Sequence, residues 1–391
     1  MAMTIVEAAR GVTGGVDTHL DVNVAAALDP IGGLFGTAAF PTTPAGYRDL
    51  LSWLRSFGKV GKVGVEGTGS YGAGLSRYLR SSGVAVIEVN RPNREERRRS
   101  GKSDPLDAIE AARAALGGKA KSIAKSRDGA VEGIRALVVA KRSGRVARTA
   151  ALVQMRQLLV TAPDQLRSRL RNLTVHALVT EAARLRPARR GDPVLNATKA
   201  SLCSLARRAQ SLDDELAELD GRIEALLMAH CPELLGRFGV GPDTAAALVV
   251  CAGDNAERLH SKPAWAHLCG VAPVPAGSGK TSGRVRVDYA GDRQANAALW
   301  RIVMVRIAHH PETTAYFARK VQEGRPKHEV IRLLKPLCRP RGLPLPASRL
   351  KTATGGLAHP LTVALRADFP ATRRPLVRNQ SAKRGLIGAC P

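Results

Sequence analysis

The sequence has no apolar run of about 18 residues, the least that a membrane-crossing helix requires, and no CxxC pair. Its first residues, MAMTIVEAARG, lack the basic stretch followed by an apolar core that marks a secretory signal. These absences predict a cytoplasmic protein without a membrane span. Six cysteines, at positions 203, 231, 251, 269, 338 and 390, stand too far apart for a zinc site or a disulfide framework and read as reduced thiols. Acids are also scarce: 33 Asp and Glu face 60 Lys and Arg, a formal charge of +27. Such a chain repels itself unless a polyanion is near, and nucleic acid is the polyanion of choice. A ribosome-associated protein or a generally basic proteome is the alternative. With 391 residues, 44% of them hydrophobic, the chain can build at least two cores.

What is present is organised around the stretch from Val16 to Asp107. Val16 to Leu28 alternates and is rich in Val and Ala, which predicts a strand with Asp17 near its start. Turn residues in DPIGGLFGTAAF precede a return strand, and Thr42 or Thr43 caps a helix that carries Pro44 in its first turn and Tyr47, Leu50, Leu51 and Leu54 along it. Lys62 to Glu66 is a short strand ending in an acid, GTGSYG a tight loop into a helix through Leu75 and Leu79, and Val84 to Val89 another strand. The alternation predicts an α/β domain with a mostly parallel or mixed sheet. GTGSYG lacks the glycine spacing of a dinucleotide fingerprint.

Ligands bind outside the carboxyl ends of parallel strands, where Glu66 would sit. Asp17 can join it only if the two strands are neighbours. Asp104 and Asp107, three residues apart, share one face of a helix beginning near Pro105. Asp17, Glu66, Asp104 and Asp107 together could hold two Mg²⁺ ions against a phosphate. Each also has a plainer role: Asp104 as N-cap with Asp107 closing a capping box, Glu66 in a cap or ion pair, Asp17 fixing a turn. The run RPNREERRRSGK, six bases against two acids, suits a backbone phosphate.

From about Ala120 to Ala229 the pattern is helical, broken near Pro163 and between Arg186 and Pro193. Lys141, Arg142, Arg145, Arg148, Arg156, Arg167, Arg169 and Arg171 have almost no acids near them in the chain, which points to nucleic-acid contact. Leu202, Leu205, Ala209, Leu212, Leu216, Leu219, Ile223 and Leu226 alternate at three and four, the seam of a coiled coil or an antiparallel helical pair. Beyond it, Gly239 to Gly241 form a Gly-rich hairpin before a helix starting near Pro242, resembling a helix-hairpin-helix grip on a phosphate or a simple turn. Between two apolar helices, Gly270 to Gly283 is a loop offering Ser278, Thr281 and Ser282 beside Lys280, Arg284, Arg286 and Arg293.

Taken in order, VDTHLD, FPTTPAGYRDLLSWL, VGVEGTGSYG, VAVIEVN, KSDPLDAIEAA, FGVGPDTAAAL, LCGVAPVPAGSGKTSGR and GDRQANAALW resemble the insertion-sequence transposases that join a RuvC-like DEDD domain to a C-terminal domain with a nucleophilic serine. The resemblance runs from Val16 to Leu334. It implies an RNase H-like domain over 12–120, a helical coiled-coil connector over 121–230, a mostly helical transposase domain over 231–336, and a basic tail over 337–391 that departs from the family after Lys335. That departure reads as a frameshifted or rearranged, poorly ordered C-terminus. By resemblance the four acids are Asp17, Glu66, Asp104 and Asp107, the cofactor is Mg²⁺, and the nucleophile is Ser278, with Ser282 the fallback. The partners implied are double-stranded DNA, a structured bridge RNA in some members, and further copies in dimers and tetramers. The function implied is a DNA transposase working through a covalent phosphoserine. A Mg²⁺-dependent nuclease using water and a degenerate nucleic-acid-binding protein are the alternatives.

Overall fold

A computed structural model describes residues 11–89, 103–120, 122–255, 258–259, 261–279, 285–288 and 290–337. The basic run Arg91 to Lys102, the fallback Ser282 and the tail from Cys338 onward lie outside these residues.

The N-terminal part is a mixed sheet of six strands. These are β1 (Gly11–Thr18), β2 (Val22–Leu28), β3 (Leu34–Pro41), β4 (Lys59–Glu66), β5 (Ala85–Val89) and β6 (Ser122–Ile123), arranged β3-β2-β1-β4-β5-β6. β1, β4 and β5 run parallel, and the other pairings are antiparallel. The single strand expected from Val16 to Leu28 is thus two, with a turn at His19–Asp21, and Asp17 stands near the end of β1 rather than near a strand's start. The alternation of VDTHLDVNV continues across the turn, so the pattern alone conceals the reversal.

One face of the sheet carries α1 (Pro44–Ser56) and α2 (Ala73–Ser81). Thr43 caps α1, its Oγ1 accepting from the Gly46 backbone N–H at 3.1 Å, and Pro44 lies in the first turn, as the sequence predicts. Leu50, Leu51 and Leu54 of α1 and Leu75 and Leu79 of α2 close over Val12, Val16, Ala25, Val63 and Val65 to form the core. Each fully buried leucine contributes about 1.5–3 kcal/mol. The other face carries α3 (Asp104–Leu116).

The middle of the chain is an antiparallel helical pair. The 31-residue α4 (Ala130–Val160) leads through α5 (Asp164–Leu170) and α6 (Val175–Ala183) to the 38-residue α7 (Pro193–His230). Gly133 abuts Leu226, Gly144 abuts Leu216, and Arg148 pairs with Asp213, so the two long helices run in opposite senses. The leucine seam of α7 is therefore met within the chain: Leu202, Ala209, Leu216 and Ile223 are buried. Elements distant in the chain supply the acids that the local sequence lacks. Buried Lys141 bonds both Asp220 and Asp243, Arg145 reaches Asp243 at 2.8 Å, and Arg169 reaches Glu181 at 2.9 Å. Burial works to raise the Asp243 carboxyl, and the hydrogen bonds from Lys141 and Arg145 more than reverse it, leaving it below the ordinary range. Arg142, Arg156 and Arg171 are exposed.

The C-terminal part is mostly helical: α8 (Pro232–Leu235), α9 (Pro242–Ala252), α10 (Lys262–Leu268), α11 (Arg293–His309), α12 (Pro311–Gln322) and α13 (Lys327–Leu334). A short antiparallel hairpin, β7 (Pro273–Pro275) and β8 (Val285–Val287), interrupts them. Gly239, at φ +82°, turns the chain between α8 and α9, and the site where a Cβ would stand faces α11, 3.3 Å from the Ile302 carbonyl oxygen. This part is fastened to the sheet and to the root of α4. Asp254 caps α4, its carboxylate accepting from the backbone N–H groups of Val131 and Glu132 at 2.8 and 3.2 Å. Asn255 accepts from the Ser126 N–H and donates to the Ala124 carbonyl, and Lys125 donates to the Val250 carbonyl. Among the described residues Cys203, Cys231, Cys251 and Cys269 are free, and no helix is long and apolar enough to cross a membrane.

Candidate active site

Two glycines bring the acids together. A Cβ on Gly15 would lie 2.2 Å from the Ala108 carbonyl oxygen, and one on Gly64 2.4 Å from that of Ala111. Both strands therefore let the backbone of α3 rest directly on them, a contact closer than any side chain permits. Gly15 and Gly64 are register partners on the parallel neighbours β1 and β4. Two residues further on, Asp17 and Glu66 face the same way, because side chains alternate along a strand. Asp104 and Asp107 come from the first turn of α3, so the helix that rests on the glycines delivers the second pair of acids to the strand ends.

Asp17 and Asp107 are buried, and one oxygen of Glu66 is shut off from solvent. The ends of β1 and β4 are also tied through the Thr18 hydroxyl, which donates to the Glu66 carbonyl oxygen at 2.8 Å. Burial pushes the Asp17 carboxyl above its ordinary range; His19 opposes this, while the charges of Asp107 and Asp104 add to it. Ser103 occupies the N-cap position of α3, without a side-chain cap bond, and Asp104 is the first helical residue. Asp104 is not the cap. Its Oδ1 lies 3.6 Å from His19 Nε2, the atom that also approaches Asp17 Oδ2 at 3.1 Å.

His19 is the residue that the sequence reading does not single out. It stands two places from Asp17 in VDTHLD, yet only the turn after Thr18 swings it back over the strand end. Asp17, His19 and Asp104 each offer one ligand atom, all within 4.8 Å of one another. Carboxylate oxygens suit a hard divalent cation, and a carboxylate held among other acids under burial is the group that such a cation relieves most. The donor set fits a divalent metal.

Ser278 is exposed on the loop that follows β7. The base of that loop is pinched. A Cβ on Gly291 would lie 2.0 Å from the Gly270 nitrogen, Asn296 Nδ2 donates to the Gly270 carbonyl at 2.7 Å, and His267 Nδ1 meets Asp288 Oδ2 at 3.0 Å. The serine thus rides on a fixed base, on a different element from the acids.

Comparison with known proteins places both halves in one class. A DEDD transposase family of the IS110 type matches residues 14–162, and the family described as "Transposase IS116/IS110/IS902 family" matches residues 231–318. Together these cover more than half of the chain, in the expected order, and the chain belongs to the insertion-sequence transposases. An uncharacterized 42 kDa protein of insertion element IS900 from Mycobacterium paratuberculosis is 29% identical over 123 residues, 31% of each chain. An uncharacterized 43.6 kDa protein of insertion element IS110 from Streptomyces coelicolor is 32% identical over 127 residues, 31% of this chain and 30% of the relative. The aligned stretches thus span about a third of these relatives.

Proposed function

We propose that this chain is a DNA recombinase of an insertion element, which cuts and rejoins strands through Ser278 with the help of a divalent-metal site formed by Asp17, Glu66, Asp104 and Asp107. The observation that carries the reading is the convergence of two parallel strand ends and one helix start on the same face of the sheet. Strand order β3-β2-β1-β4-β5, with the first three strands antiparallel, supports an RNase H-like, RuvC-like N-terminal domain. The domain limits proposed are 12–120, 121–230 and 231–336, with 337–391 a separate basic tail.

In the proposed reaction the Ser278 oxygen bonds to phosphorus as the bond to one deoxyribose oxygen breaks. The serine proton leaves, the departing oxygen gains a proton, and the phosphodiester count is unchanged, so rejoining needs no energy source. A bound divalent ion, Mg²⁺ in this reading, would supply charge neutralisation for the transferring phosphoryl group. The strand-borne Asp17 and Glu66 and the helix-borne Asp104 and Asp107 hold fixed positions for it, and Arg286 and Arg293 flank the serine loop. Ser278→Ala is expected to abolish any covalent protein–DNA adduct, with DNA binding changed less than about threefold. An adduct of undiminished yield on denaturing gels would move the nucleophile elsewhere. Metal-dependent cleavage that never yields an adduct from the unaltered protein would favour a nuclease using water.

The exposed face of α4 supports assembly. Val139, Val146, Val153 and Val160 recur every seven residues on the side away from α7, and all four are exposed. A β-branched residue at heptad spacing suits packing against a second copy of the same helix. Val146→Glu with Val153→Glu is expected to lower the mass of the particle by at least half in light scattering. An unchanged mass would remove this face from the interface. The ratio of absorbance at 260 to that at 280 nm in the same run reads whether a guide RNA travels with the protein; a nucleic-acid-free yet site-specific particle would argue against one.

A further inference from the structure

His19 is built into the acidic cluster by its backbone as well as its ring. Its N–H donates to the Val22 carbonyl at 3.2 Å, and its own carbonyl accepts from the Thr42 hydroxyl at 3.1 Å. The turn that reverses β1 into β2 is therefore held on both sides of this residue. From that anchor a single ring nitrogen, Nε2, is turned toward carboxylates from two different elements, Asp17 of β1 and Asp104 of α3. A histidine serving one ion pair needs only one carboxylate. Here the same atom completes a trio of potential ligand atoms, two oxygens and a nitrogen.

We infer that His19 is itself a ligand of the cation site, through Nε2, and that this site therefore takes a nitrogen-tolerant divalent ion of the Mn²⁺ or Co²⁺ kind in preference to Mg²⁺. The inference rests on the metal site proposed above and specifies the ion it selects. Mg²⁺ favours all-oxygen sets and sheds water for imidazole reluctantly, whereas affinity for an imidazole nitrogen rises along the first transition row. With two acids and one imidazole contributed from neighbouring positions, a Mn²⁺ ion gains a donor that Mg²⁺ uses poorly.

The test uses the full-length, untagged protein titrated with Mn²⁺ and with Mg²⁺. Bound Mn²⁺ is read by electron paramagnetic resonance and Mg²⁺ by its displacement of Mn²⁺. Wild-type protein is expected to bind Mn²⁺ at least about tenfold more tightly than Mg²⁺, and bound Mn²⁺ to show magnetic coupling to a directly attached nitrogen. His19→Ala is expected to lose that coupling and about tenfold in Mn²⁺ affinity, with Mg²⁺ affinity changed less than about threefold. His19→Asp, an all-oxygen set of similar reach, is expected to bind both ions more tightly than His19→Ala without regaining the preference for Mn²⁺, which separates ligation from misfolding. If the wild type binds divalent ions at a site that Asp104→Asn abolishes, but the nitrogen coupling and the Mn²⁺ preference survive in both His19 variants, the inference is overturned and the acidic site stands. If the wild type binds no divalent ion that Asp104→Asn affects, the proposed metal site fails and the inference goes with it.

Discussion

Asp17→Asn is expected to reduce metal-dependent DNA cleavage by at least about a thousandfold and, at the same time, to raise the thermal midpoint of the metal-free protein. The two effects have one cause. Burial, joined by the charges of Asp107 and Asp104, raises the Asp17 carboxyl, with His19 only partly compensating. An acid whose pKa is higher in the folded state binds its proton more tightly there. Its contribution to stability is therefore greatest when it is protonated and declines as pH rises from the unfolded pKa through the folded one. Above that window the ionised Asp17 opposes folding, and a neutral amide of the same shape removes that opposition. Cleavage assays paired with thermal melts in EDTA read both. Turnover within about threefold of wild type would sink the role of Asp17, and a lowered midpoint would mean that the loss of activity reports damage to the fold. The pairing of effects separates a functional acid from a structural one, because a side chain kept for stability does not improve the protein when it is neutralised.

Gly15→Ala is expected to destabilise the protein by about 3 kcal/mol and to weaken divalent-ion binding with it. The added methyl would stand 2.2 Å from the Ala108 carbonyl oxygen and from the Ala112 nitrogen, both helix backbone, so α3 must move as a body. Any such movement carries Asp104 and Asp107 away from Asp17 and Glu66. Gly14→Ala is the internal comparison. That residue is next in the chain but faces α1, where its methyl would meet the movable Leu54 Cδ1 at 3.0 Å and Val63 Cγ2 at 3.1 Å. Its cost is expected to stay near 1 kcal/mol, with ion binding unaffected. Urea unfolding of the two variants checks the difference. Equal midpoints would mean that α3 is not seated as tightly on Gly15 as on this account it is.

Much of this arrangement is legible in the chain, and the parts that are not share a reason. Thr43 and Pro44 announce α1, and Glu66 is readable as the end of β4, because caps and strand ends are local signals. The leucine seam of α7 marks a buried face without naming what buries it; α4 does so from some 65 residues away in the chain at Arg148 and Asp213. Lys141 looks like a cation awaiting a phosphate until Asp220 and Asp243 close on it. The break between β1 and β2 is hidden because the polar residues of the turn fall on the beat that an unbroken strand would give them. His19 is invisible for the same cause, since its partnership with Asp104 depends on that turn. Ser278 is singled out by its loop, yet nothing local in the sequence tells which acids it meets.

The cap that Asp254 places on α4 has a geometric consequence for the molecule as a whole. The chain leaves the sheet near Val131 and comes back to nearly the same point at Asp254, so the 31-residue α4, about 45 Å long, is an outrigger lashed at its root. The distance between the acidic half and the serine-bearing half is fixed by that lashing, independent of the outrigger's length. Lengthening both α4 and α7 by whole turns would extend its reach, near residues 163–192, while the base keeps one geometry.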